Sequence, residues 1–364
     1  MIQIIFSNHS NCSAIQSIQC DTRLDSISRR KITLHSIRRE RMMHCSTLIH
    51  HGRISLRSTL VLVLTLSLSF PPGLSARFRK TGTVGYSFLK IPVTARHTAL
   101  GESMGSITDN AGITPLFLNP AVLGFQTHKT VGCSYSTWIA DINHQAGGVT
   151  SNLGYFGIIG IGINYLDYGE FTRTAHGANL GEYLVTGTYQ AQALAIGLTY
   201  ARRLTDRFAY GLRLNHVRET IAEYTSTNFL LDMGVIYFTG WRSLRIGGFI
   251  NNFGVDEKYI GDSFKMPTEL HLSLTYDLFD ITHHKLTLTS ELSHPSDNLE
   301  KIHVGVEYQL YRTIFLRGGY KFQTDEDQFA FGGGILWQGF LLDLAVTPFG
   351  RFPTIYHLTL QKEF

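Results

Sequence analysis

The chain has 364 residues, 43% apolar and 16% charged, with 23 Phe, 17 Tyr and 3 Trp. So little charge argues against a soluble domain, where about 25% is usual. A mean hydropathy of +0.01 without spans of about 20 apolar residues argues against a helical membrane protein. The net charge of +4 belongs to the front of the chain: residues 1–76 carry 9 Lys/Arg against 3 Asp/Glu, leaving 23 and 25, or −2, for residues 77–364. The basic balance is therefore no sign of a nucleic-acid partner.

Residues 1–76 read as a leader. Arg53 and Arg57 precede an apolar run over 60–70, broken by Pro71, Pro72 and Gly73 and followed by the small residues Ser75 and Ala76. That is a secretory signal over 53–76, too short to span a bilayer. Met42 and Met43 sit where a start is expected, which makes 1–41 a mis-assigned extension or a long basic front. Cys12, Cys20 and Cys45 fall in the leader, so Cys133 alone remains and no intrachain disulfide is expected.

Residues 77–128 do not alternate. A short helix is expected over 94–106, then turns at 109–112 and 119–120. From about residue 129 the apolar period is two, the strand signature. Leu270, Leu272 and Leu274 alternate with His271, Ser273 and Thr275, and Ile302, Val304 and Val306 with His303, Gly305 and Glu307. Fourteen strands are predicted: 129–139, 143–151, 155–167, 188–203, 207–218, 227–238, 242–252, 267–278, 283–293, 300–310, 312–322, 327–337, 339–347 and 353–364. Most have the length of a tilted membrane crossing.

Loop lengths sort by parity. Connections after even strands are short, whereas 168–187, 219–226, 253–266 and 294–299 are long and polar. Outer-membrane barrels place short turns in the periplasm and long loops outside. Aromatics gather near strand ends, as membrane girdles require. The chain ends on Phe364, preceded at two-residue steps by Lys362, Leu360, Leu358 and Tyr356. That pattern resembles the signal read by the outer-membrane assembly machinery, with Lys362 the departure.

The fold expected is all-β: a 14-stranded antiparallel transmembrane β-barrel over 129–364, with a short helical hatch over 77–128 filling a lumen that would otherwise stand open. The stretches FLKIPVTARHTALGES (88–103), TDNAG (108–112), LNPAVL (118–123) and YLDYGEFTR (165–173) resemble the PorV/PorQ family, relatives of the FadL-type fatty-acid transporters. The resemblance implies a 14-stranded outer-membrane barrel with an N-terminal hatch. It also implies an accessory role in type IX secretion, binding the translocon or secreted cargo. The hatch residues it singles out are Arg96, Gly101, Asp109, Asn119, Pro120 and Ala121. Proline removes a donor and biases Asn119 away from helix, which makes a stiff turn.

No catalytic or metal site is legible. Gly157, Gly160 and Gly162 lie within a strand and open no helix, so the dinucleotide reading fails; bending of the strand is the better account. The sixteen histidines show no ligand spacing, no Ser-His-Asp set is singled out, and no cofactor is expected. Alternation aims Arg213, Asp232, Arg245, Asp277, Glu291, Glu307, Arg317, Lys321 and Asp343 into the lumen. Both signs are present, whereas a strongly ion-selective pore favours one. Two functions follow: an accessory secretion component in contact with outer-membrane lipid, or a FadL-like conduit for hydrophobic small molecules.

Overall fold

The computed structural model describes residues 82–177, 181–258, 261–324 and 326–364. The predicted leader, its signal peptide and its three cysteines lie outside the described residues.

Fourteen strands close into one antiparallel barrel. They are β1 (Thr130–Thr137), β2 (Asn143–Asn152), β3 (Ile158–His176), β4 (Tyr183–Thr205), β5 (Phe208–Ile221), β6 (Tyr224–Phe238), β7 (Arg245–Phe253), β10 (Glu269–Ile281), β11 (His284–Pro295), β12 (Lys301–Leu310), β13 (Ile314–Phe322), β14 (Phe329–Trp337), β15 (Phe340–Phe349) and β16 (Phe352–Glu363). The pair β8 (Glu257–Lys258) and β9 (Ser263–Phe264) forms a small ribbon in the loop after β7. Each predicted strand corresponds to one wall strand. The seam pairs β1 with β16, from Thr130 opposite Glu363 to Thr137 opposite Tyr356.

Alternation explains the wall. In β10, His271, Ser273 and Thr275 are buried while Leu270, Leu272 and Leu274 face outward and exposed. In β5, Arg213, Asn215, Val217 and Glu219 are buried while Leu212 and Leu214 are exposed. A wall apolar outside and polar inside is the reverse of a soluble domain and needs a hydrocarbon surrounding.

One boundary differs in kind. Most of the predicted loop 168–187 is strand: β3 and β4 stay paired from Gly169–Ala191 out to His176–Tyr183, past the neighbouring strands. The pairing with β2 stops at Asp167 and that with β5 at Ala191. The polar composition that marked a loop is that of a ribbon in water on both faces. The β5–β6 connection shrinks likewise to Ala222 and Glu223, in place of 219–226. Arg173 Nη2 ties the ribbon to that turn through Glu223 Oε2 at 2.7 Å.

Ahead of β1 the chain folds inside the barrel. Helix α1 (Ala95–Ala99) is shorter than the predicted 94–106. It stops at Gly101, whose φ of +62° is a left-handed conformation glycine adopts without cost. A 3₁₀ helix over Pro120–Phe125 then leads into β1; its cap is Asn119, whose Oδ1 accepts from Ala121 N at 3.1 Å.

Candidate functional site

The lumen is filled by residues 82–125, held by apolar clusters and by buried ion pairs. Leu100, Met104, Ile107, Leu118 and Val122 pack on Ala209, Ile236 and Phe249 of the wall. Tyr86 and Phe88 pack on Leu166, Val217 and Leu230 nearer the long-loop end. The wall meets this plug with glycines. A Cβ on Gly211 would enter the Pro120 backbone, and one on Gly319 would enter Gly101 and Leu100. Gly160 and Gly162, read from sequence as bending points, likewise make room for Leu116 and Phe117. Inward parity was the signal that would have shown this.

The polar side is a set of linked pairs. Arg96, 1% exposed, donates from Nε and Nη2 to the two Glu307 oxygens at 2.9 and 2.8 Å. Its Nη1 donates to the carbonyls of Asp109 and Asn110. Glu307 also accepts from Arg317 Nε at 2.6 Å, and Arg317 Nη1 reaches Asp343 at 2.5 Å. Two guanidinium groups and two carboxylates thus form one balanced buried chain, the arrangement that makes burial of charge tolerable. Arg245 Nη2 binds both oxygens of Asp277 at 2.7 Å, and its Nη1 reaches Thr108 Oγ1 at 3.0 Å. Lys285 joins Asp109. Glu291 accepts from Gly105 N and pairs with His271. Lys321 joins Glu102 of the plug at 2.6 Å.

Arg213 and Asp232 stand apart from these chains. Asp232 accepts from Asn215 Nδ2 and Asn252 N at 2.7 Å and lies 3.6 Å from Arg213 Nη1. Arg213 lies over the Phe117 ring at 5.1 Å. The sequence reading did not single out Glu102, Lys285 or His271. Glu102 sits in the non-alternating segment, where no parity rule assigns a direction.

Gly101 and Asp109 lie on plug turns, and Asn119 and Ala121 are wholly buried, with Pro120 beside them. Asn119 Nδ2 also donates to Gly105 O at 2.7 Å, so one side chain pins two plug turns. Asn119→Ala is expected to cost about 1–3 kcal/mol, the range for a lost cap plus a stranded buried carbonyl, read as the denaturant midpoint of the detergent-solubilised barrel. No change in midpoint would remove Asn119 from the plug's supports.

Burial alone would raise the Glu102 carboxyl; the Lys321 ammonium outweighs it and holds the group well below the usual range. Burial likewise opposes ionisation of Asp109, and Lys285 and Arg245 outweigh it. Both folded values are depressed, so their contribution is present above the unfolded range near pH ~4 and is lost as pH falls through the folded values. Planar-bilayer records should be quiet at neutral pH and still quiet near pH ~4, with openings only in stronger acid. Openings already at pH ~5, where the carboxylates are still ionised, would contradict this role.

On β16, which runs down to the end of the barrel formed by the chain termini and short turns, Tyr356, Leu358 and Leu360 face outward. Phe364 N donates to Lys129 O at 2.9 Å, closing the seam. Between the plug and the long-loop half lies a mostly polar cavity of about 90 Å³, lined by Leu89, Ile91, Phe117 and Leu118 together with Lys90 and Glu102 of the plug, facing Arg213, Glu269, His271 and Glu291. It has space for about three waters. Wider pockets open at the short-turn end, about 280 Å³ beside Phe125 and Tyr155 and about 370 Å³ beside Asp109 and Lys285. Among the described residues no group of three or more His, Cys, Asp or Glu is placed to hold a metal.

The fold has solved counterparts. The structure of the Pseudomonas putida toluene transporter TodX aligns with 74% of this chain and 96% of its own at 12% identity, TM-score 0.51. A TodX monoaromatic hydrocarbon channel with a deltaS2S3 change aligns over 74% and 99% at 12% identity, TM-score 0.51. A FadL homologue of Pseudomonas aeruginosa aligns over 75% and 99% at 10% identity, TM-score 0.49. At such identities the likeness shows the fold alone: a closed antiparallel barrel like that of TodX. No family model matches the chain, and no curated protein does.

Proposed function

We infer that this chain is a bacterial outer-membrane barrel acting as a FadL-like conduit for hydrophobic small molecules, closed at rest by its plug. The observation that carries the reading is the pairing of fold and filling. A barrel like that of the toluene transporter TodX holds a plug whose Leu89, Ile91, Phe117 and Leu118, interleaved with Lys90, His97 and Glu102, line a cavity at the long-loop side. At about 90 Å³ that cavity is too small for such a molecule, so passage needs the plug to shift. The wall ladders run unbroken through the glycine-rich stretches of β3 (158–164) and β14 (331–335). The route therefore runs along the plug rather than through a gap there.

The test is binding and flux with the purified full chain, using oleate and toluene as probes. Saturable binding in detergent and faster entry into proteoliposomes are expected. Absence of both, with a translocon component or secreted cargo co-purifying from native membranes, would reverse the choice in favour of the secretion role. That role rests on the PorV/PorQ-like motifs; the exposed β3–β4 ribbon, with Phe171, Tyr183, Leu184 and Val185 in water, is the surface that would serve it.

A further inference from the structure

We propose that the short-turn rim carries three cation–aromatic clasps that bind the headgroups of anionic phospholipids in the adjoining leaflet. The first clasp is on β4: Arg202 lies over the Tyr155 ring at 4.9 Å, beside Tyr200 and Tyr210. The second is in the turn before β7. Arg242 lies over Trp241 at 6.0 Å and donates to Tyr276 Oη at 3.1 Å, while Trp241 and Tyr276 stack. The third is on β16, where Lys362 Nζ sits 3.9 Å from the Phe340 ring centre and 5.4 Å from that of Phe364. Around the closed wall these positions are separated by β5 and β6, by β11 to β14, and by β1 to β3.

Two features select the ligand. The first is sign. Arg202 and Lys362 stand on the outward, lipid side of their strands. The strand carboxylates of this rim, Asp280 and Glu363, stand on the inward side, opposite Lys285 and Thr130, and Asp206 lies beyond the strand ends in the β4–β5 turn. The second is depth. Aromatic rings favour the headgroup level, and a cation lying over such a ring is held there with N–H groups free for a phosphodiester. A basic residue at the surface prefers a lipid of net negative charge by about fivefold. Lys362, the departure from the apolar terminal pattern, thereby acquires a role.

The inference rests on the barrel's place in a bilayer and not on transport, so failure of the conduit reading leaves it standing. The test uses the full chain with Trp138→Phe, leaving Trp241 and Trp337 at this rim, in nanodiscs of phosphatidylcholine. Brominated phosphatidylglycerol and brominated phosphatidylcholine compete as fluorescence quenchers. Phosphatidylglycerol should bind about fivefold tighter at these sites. R202Q/R242Q/K362Q should bring the two lipids level, and R242Q alone should lower the preference. Equal quenching in the parent overturns the proposal, as does a preference that survives in the triple variant. So does loss of the preference in millimolar inorganic phosphate, which would make the ligand a free anion.

Discussion

Replacing Arg96 with methionine is expected to destabilise the barrel by about 3–5 kcal/mol, the cost of breaking a buried ion pair from one side. The wild-type chain Arg96–Glu307–Arg317–Asp343 balances two cations against two anions. Methionine fills much of the volume but leaves one carboxylate in excess and strips the donors from the carbonyls of Asp109 and Asn110. The plug should loosen before the wall, because its apolar contacts are spread over separate clusters whereas the wall ladder is continuous. Two readouts follow: a lower denaturant midpoint, and conductance steps in planar bilayers where the parent is quiet. R96M/E307Q, which removes a charge of each sign, should recover more than half of the loss. A single variant within ~0.5 kcal/mol of the parent, the scale of an ordinary surface change, or a double variant no better than the single, would show that the pair does not hold the plug.

Gly319→Val should also expel the plug, by volume rather than charge. The new side chain points inward against the backbone of Gly101 and Leu100, which cannot turn aside as a side chain can. Overpacking of this kind costs about 1–3 kcal/mol, and here displacement of residues 99–103 is the cheapest relief. The neighbour supplies the control: a Cβ on Gly318 meets nothing nearer than Phe331 at 4.0 Å. Gly318→Val should leave both midpoint and conductance near the parent values. Equal behaviour of the two variants would mean that the wall glycines serve the strand and not the plug.

The wall was legible in the sequence because period two is a direct consequence of the pleat. Leu270, Leu272 and Leu274 announced a lipid face without reference to any other strand. The ribbon of β3 and β4 was not legible, because a strand wet on both faces has no apolar alternation and reads as loop. The lumen side of Glu307 and Arg317 followed from parity, but their joining through Arg96 did not. That contact spans 211 residues, and no local pattern records it. The glycines were visible as letters; their purpose appears only when the plug backbone lies against them.

The closing seam has a consequence for assembly. Ala95 N donates to Thr359 Oγ1 and Ile113 N to Gln361 Oε1, across 264 and 248 residues. Both acceptors lie on β16, the strand that also completes the cylinder against β1. Contacts of such separation form slowly, because the entropy of closing the intervening chain must be met first. Seating of the plug and closure of the cylinder are therefore expected to be coupled in one late step. A chain stalled before it would expose two unpaired strand edges, the form most open to mispairing with a neighbour.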